Sequence, residues 1–144
     1  MKTKFYYCPV CGNVIMKLAD SGQTPHCCGR EMWLMKPNST DAAQEKHVPS
    51  LVRTETGALR VDIGSTPHPM TPEHYIQFVV AETQNGGQFR YFKPDQPAST
   101  QFCDCYDPAT TVYAYCNQHG LWQNEEVPAK TKNSQTCCTS KCAK

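Results

Sequence analysis

Ten of the 144 residues are cysteines, and the placement of the first four constrains the fold most. They fall as Cys8-Pro9-Val10-Cys11-Gly12 and, after 15 intervening residues, Cys27-Cys28-Gly29. Around them only short apolar runs occur, Val14-Ile15-Met16 and Trp33-Leu34-Met35, which read as short strands. Residues 1–37 hold too little apolar surface to stabilise themselves, and a unit of that size needs a metal to help. Cys-x-x-Cys is a metal knuckle, and the glycine behind it lets backbone N–H groups turn toward the sulfurs. Four thiolates suit a tetrahedral site for zinc or iron. Adjacent cysteines cannot copy the geometry of a second Cys-x-x-Cys, so a distorted tetrahedron is expected. His26 precedes the pair and reads as a loop histidine, because four sulfurs already complete the shell.

Formal net charge is +1 and no basic run appears, so nucleic acid and anionic membrane are not expected partners. No apolar stretch approaches the roughly 20 residues of a membrane helix. The start, Met1-Lys2-Thr3-Lys4-Phe5, has no apolar signal core, and a cytoplasmic location is the expectation. In such a setting many cysteines point to metal rather than to disulfides.

Residues 38–44 read as a polar linker. Residues 45–126 read as β structure. Leu51–Thr54 and Leu59–Ile63 flank a Thr56-Gly57 turn, and Tyr75–Val80 and Gln88–Phe92 flank Gln84-Asn85-Gly86-Gly87. Asn-Gly between two β-rich runs is a hairpin signal, because both residues tolerate positive φ. Thr111–Tyr115 is a further strand, delivering Cys116. Short strands at this spacing, without a 3.6-residue stripe, predict an all-β chain with a sandwich. Residues 127–144 read as a polar, cysteine-containing tail with little order of its own.

Four of the five histidines lie in short loop motifs, Glu45-Lys46-His47-Val48-Pro49, Pro67-His68-Pro69-Met70, Pro72-Glu73-His74-Tyr75 and Cys116-Asn117-Gln118-His119-Gly120. Prolines on both sides of His68 stiffen its loop and limit the entropy lost on ligation. Cys116 and His119 share one turn. Four imidazoles and a thiolate suit a redox-active transition metal better than a structural zinc, which closes its shell with four ligands. On an octahedral metal they leave one position open. The donors come from separated segments, so the fold has to gather them.

Glu-Lys-His-Val-Pro, His-Pro-Met, Glu-His-Tyr and Cys-Asn-x-His-Gly, in this order, resemble the desulfoferrodoxins, two-iron superoxide reductases. Cys8-x-x-Cys11 with Cys27-Cys28 resembles the desulforedoxin-type domain of the same proteins. The resemblance covers about residues 4–123. It implies a metal-stabilised desulforedoxin-like domain (1–37) before an immunoglobulin-like β-sandwich (45–126), and a homodimer. It implies ferrous iron held by His47, His68, His74 and His119 with Cys116 axial. It places a second iron, with zinc as the alternative, on Cys8, Cys11, Cys27 and Cys28. The implied activity is one-electron reduction of superoxide to hydrogen peroxide, with rubredoxin or a similar protein as donor. Lys46 would steer and hydrogen-bond the anion, and Glu45 would take the open position after oxidation.

Against these stand simpler readings. Adjacent Glu and Lys in a loop are commonly solvated charge, and in extended chain they point to opposite sides. Asn117 and Gln118 either hydrogen-bond near the cysteine sulfur, tuning its basicity, or only shape the turn. Tyr75, Tyr113 and Tyr115 read as packing residues. Cys103, Cys105, Cys137, Cys138 and Cys142 have no counterpart in the resemblance. They are expected as unengaged thiols in preference to a third metal site or a redox disulfide. A non-catalytic electron-transfer or zinc-binding module is the alternative function, but it leaves the later histidine–cysteine set without a role.

Overall fold

The computed structural model describes residues 2–130. The chain divides into two compact units, Met1–Lys36 and Pro37–Lys144. In the first, β1 (Lys4–Tyr7) is the middle strand of a three-stranded sheet between β2 (Val14–Lys17) and β5 (Trp33–Leu34). A short hairpin, β3 (His26–Cys27) with β4 (Arg30–Glu31), carries the second cysteine pair. One buried cluster there is Tyr6, Cys8 and Met32, with Ile15 and Cys27 packed against it, and Phe5 is buried as well. One prospective ligand is thus itself a core residue, as the shortage of apolar sequence requires.

The second unit is an immunoglobulin-like β-sandwich. One short helical turn, α1 (Gln44–His47), precedes β6 (Pro49–Arg53). It is followed by β7 (Leu59–Ile63), β8 (Ile76–Thr83), β9 (Gly87–Tyr91), β10 (Ser99–Phe102), β11 (Ala109–Cys116) and β12 (Gly120–Asn124). One sheet has the order β10-β7-β6, the other β12-β11-β8-β9, all antiparallel. Both expected hairpins form. Gly57 at φ +84° closes β6 to β7, and Gly86 sits in the turn that pairs Glu82 with Gly87.

Inward residues alternate as a two-sided sheet demands. Leu59, Val61 and Ile63, with Phe102 of the same sheet, pack with Val79, Ala81, Val112 and Ala114 of the other. Cys116 ends the inward row of β11 with none of its surface exposed. The β11–β8 register shifts there, Tyr115 opposing Phe78 but Cys116 opposing Ile76. Such an irregularity bends the strand end and re-aims its side chain. β11 returns as β12 through Asn117-Gln118-His119, with Gly120 at φ +76° reversing the chain. Residues 38–44 were expected as a linker. Within this unit Asn38 accepts from Gln123 N at 2.8 Å and donates to the Gln123 carbonyl at 3.1 Å, which ties the segment's start to β12.

Candidate metal centres

Consecutive residues in extended chain point to opposite sides, yet the Cys27 and Cys28 sulfurs are 3.9 Å apart. Cys28 resolves this by adopting φ +52°, a left-handed conformation rare outside glycine, followed by Gly29 at φ +75°. The Cys11 sulfur is 3.6 Å from that of Cys27. All four donor atoms lie within 4.8 Å of one another. Gly12, at φ +78°, closes the knuckle by donating its N–H to the Cys8 carbonyl at 2.9 Å. As expected of the knuckle, the backbone N–H of Cys11, and then that of Val10, face the Cys8 sulfur and hold its thiol down at about 6. Hydrogen bonds with Cys11, Cys27 and Cys8 push the Cys28 thiol up to about 12. Four crowded sulfurs cannot all ionise unaided; a cation removes that penalty, and thiolate sites release protons on binding metal.

The second cluster joins three segments. His47 ends α1, His68 and His74 sit in the β7–β8 connection, and Cys116 and His119 flank the β11–β12 turn. The four imidazoles form a closed ring of edge-to-face neighbours. Centroids are 4.6 Å apart for His47–His68, 4.7 Å for His68–His74, 4.9 Å for His74–His119 and 4.8 Å for His119–His47. His47 therefore lies across from His74, and His68 across from His119. The Cys116 sulfur is 3.8 Å from His119 Nδ1. All five donors lie within 4.8 Å of one another, the spread about one ion with bonds of roughly 2.0–2.3 Å.

Hydrogen bonds behind the rings set which nitrogen faces inward. His47 Nδ1 donates to the Ala43 carbonyl at 2.7 Å, and His68 Nδ1 donates to the Pro69 carbonyl at 2.6 Å. Their Nε2 lone pairs then meet at 3.0 Å, and His47 Nε2 lies 3.0 Å from His119 Nδ1. His74 Nε2 is buried with no hydrogen-bond partner. Facing lone pairs and an orphaned buried nitrogen are costly by themselves. A shared cation satisfies all of them, so the donor set fits a resident metal. Trp122, which the sequence reading passed over, stacks on His47 at 4.8 Å and donates to the His119 carbonyl at 3.1 Å. The adjacent apolar pair Leu121-Trp122, directly after His119-Gly120, was the available signal.

Burial pushes His68 down to about 4 and lowers His47 and His74 as well. Such groups stay neutral in the folded chain while the unfolded chain protonates near pH 6.5. The sign follows: the metal-free protein keeps full stability above pH 6.5 and loses it as pH falls toward 4. Thermal melts of the metal-free protein across pH 8 to 4 check this, and an unchanged melting temperature between pH 7 and 4.5 contradicts it. Burial also raises the Cys116 thiol, against backbone N–H groups of Gln118 and His119 that favour the thiolate.

Glu45 and Lys46 are both exposed on α1, a helical turn and not extended chain. The Lys46 charge acts on His47 and His74, lowering both. Gly64, at φ +82°, packs onto this turn. A Cβ there would stand 2.7 Å from the Lys46 carbonyl and 2.8 Å from that of Glu45. His26 is exposed in β3, outside both clusters. Cys105 is disulfide-bonded, which corrects the reading of it as an unengaged thiol; its sulfur is 3.8 Å from that of Cys103. Cys137, Cys138 and Cys142 lie outside the described residues. No helix among the described residues is long and apolar enough to cross a membrane.

A sandwich presenting a buried thiol under a ring of four imidazoles defines a mononuclear non-haem metal protein of the histidine–thiolate class. The chain belongs to the desulfoferrodoxin family, whose profile matches residues 39–125. It is 35% identical to a desulfoferrodoxin of Nitratidesulfovibrio vulgaris, over 85% of this chain and 95% of that protein. It is 36% identical to a superoxide reductase of Pyrococcus horikoshii, over 60% of this chain and 90% of that one. The crystal structure of the superoxide reductase from Treponema pallidum superposes with a TM-score of 0.71 at 29% identity, covering 86% of this chain and 99% of that one.

Proposed function

We propose that the chain is a superoxide reductase, converting superoxide, one electron and two protons into hydrogen peroxide. The closing of four imidazoles with the Cys116 sulfur on one point, with Lys46 exposed on the turn that bears His47, is the observation that carries this reading. Ferrous iron, when bound by His47, His68, His74, His119 and Cys116, supplies the single electron. Four neutral imidazoles and one thiolate leave a divalent ion with a local charge of about +1, which attracts an anion without locking it in place. Cys116, shut away from water, keeps its sulfur from oxidants that arrive from solution. Lys46 draws superoxide toward the ring and donates a hydrogen bond, and its exposure lets water carry a proton to the reduced product. Glu45, exposed on the same turn, would be the residue to add a carboxylate to the centre when its iron is oxidised.

The four-cysteine site serves as a one-electron relay holding iron. A rubredoxin-like protein is the donor, the working form is a homodimer, and the location is cytoplasmic. Anaerobic purification with iron quantitation, then oxidation of the ferrous protein by superoxide, tests the function. A reductase consumes one electron from a donor per superoxide and releases no oxygen; oxygen release without donor consumption would mark a dismutase and overturn the reading.

Replacing Lys46 with alanine is expected to slow superoxide capture about tenfold at low salt and to flatten the dependence on ionic strength. Pulse radiolysis at several salt concentrations measures both. A rate equal to the parent's at every salt concentration removes Lys46 from the reaction.

A further inference from the structure

His47 and His68 each have a ring nitrogen anchored to a backbone carbonyl. Among the described residues His74 has no ring hydrogen bond, and its buried Nε2 is unpartnered. What aims this ring has to act on its backbone. The β11–β12 turn does so. Asn117 Oδ1 accepts from the Tyr75 N–H at 2.9 Å, and Asn117 Nδ2 donates to the Glu73 carbonyl at 3.0 Å. Gln118 Nε2 donates to the same Glu73 carbonyl at 2.9 Å, and the Asn117 N–H reaches the Tyr75 carbonyl at 3.3 Å. The residues gripped, Glu73 and Tyr75, are the two neighbours of His74. An asparagine that merely shaped its own turn would bond within two or three residues; these bonds span more than forty positions.

We propose that Asn117, seconded by Gln118, is the positioning residue for His74. It locks the loop that bears one donor to the turn that bears Cys116 and His119. The inference rests on the five donors holding a metal, and not on the reaction performed there. Both side-chain functions of Asn117 are used: the carbonyl fixes the residue after His74 and the amide fixes the residue before it. The pair sets the height of the His74 ring relative to the Cys116 sulfur. Outer residues that orient a ligand are commonly worth 10–100-fold in metal affinity.

The test is cobalt(II) titration of the metal-free full chain against a competing chelator. The binding phase lost in Cys116→Ser reports the histidine–cysteine centre, and the remaining phase reports the four-cysteine site. Asn117→Ala is expected to weaken the first phase tenfold or more and to shift its thiolate-to-cobalt absorption, leaving the second within twofold. Should Asn117→Ala fail to fold, Asn117→Asp keeps the acceptor for Tyr75 N, loses the donor to Glu73, and is read the same way with a smaller loss. Equal affinity in variant and parent, or an equal fall in both phases, overturns the positioning role. A parent that shows no phase sensitive to Cys116 sinks the metal-site reading itself.

Discussion

Cys116→Ser is expected to lower iron affinity of the histidine–cysteine centre by roughly a hundredfold or more, since a first ligand matters more than the outer partners that cost 10–100-fold. The four-cysteine site, built wholly from residues 8–28, is expected to stay filled. The reason is the position of Cys116 in the sandwich. It closes the inward row of β11, fully buried, and brings the only anionic donor to four neutral rings. Serine preserves volume but does not ionise, so the buried set would carry no negative charge against a divalent ion. Iron quantitation with the visible spectrum reads the result as one iron per chain with four-thiolate absorption. Two irons per chain in the variant would remove Cys116 from the ligand set.

The largest expected loss of stability lies away from either centre. Asp104 is buried and accepts from both terminal guanidinium nitrogens of Arg53, at 2.6 and 2.9 Å. It also accepts the Ala109 N–H at 2.9 Å, and Lys130 adds a longer ion pair at 3.6 Å. Burial opposes ionisation of its carboxyl, but Arg53 and the Ala109 N–H outweigh it and hold the group below the usual carboxylate range. A depressed carboxylate contributes stability above pH 3.8 that is lost as pH falls through its folded value. Asp104→Ala strands Arg53 in a largely buried position, and breaking such a pair from one side costs on the order of 3–5 kcal/mol. The exposed Arg60–Asp62 pair is the control, where Arg60→Ala is expected to cost about 1 kcal/mol or less. Urea unfolding of both variants decides, and equal costs would show that the Asp104 network is not a special anchor.

Much of the second centre was legible because its donors travel in short motifs whose neighbours also have jobs. Pro67 and Pro69 stiffen the loop of His68, and the Pro69 carbonyl receives its ring proton. The hairpins around Gly57 and Gly86 were legible for the same local reason. What escaped was set by distance along the chain. Nothing near Asn117 reveals that its partners are Glu73 and Tyr75, so its side chain was assigned to the sulfur or to its own turn. Cys28 resisted for a different reason. Only the need to bring two adjacent sulfurs to one point forces its left-handed backbone, and that need exists only in three dimensions. The two-residue strands β3 and β4, and the polar β10, carry too little alternation to be read. Lys46 was read in extended chain because four residues of helix leave no periodicity.

The first unit counts a sulfur of its own metal cage among the few buried residues of its interior. Metal binding and shape retention are thereby fused there. A cell short of iron, or an oxidant that strips the ion, would forfeit the small sheet along with the metal site. The larger unit, with eleven inward aliphatic, aromatic and thiol side chains of its own, has an interior that exists without any ion.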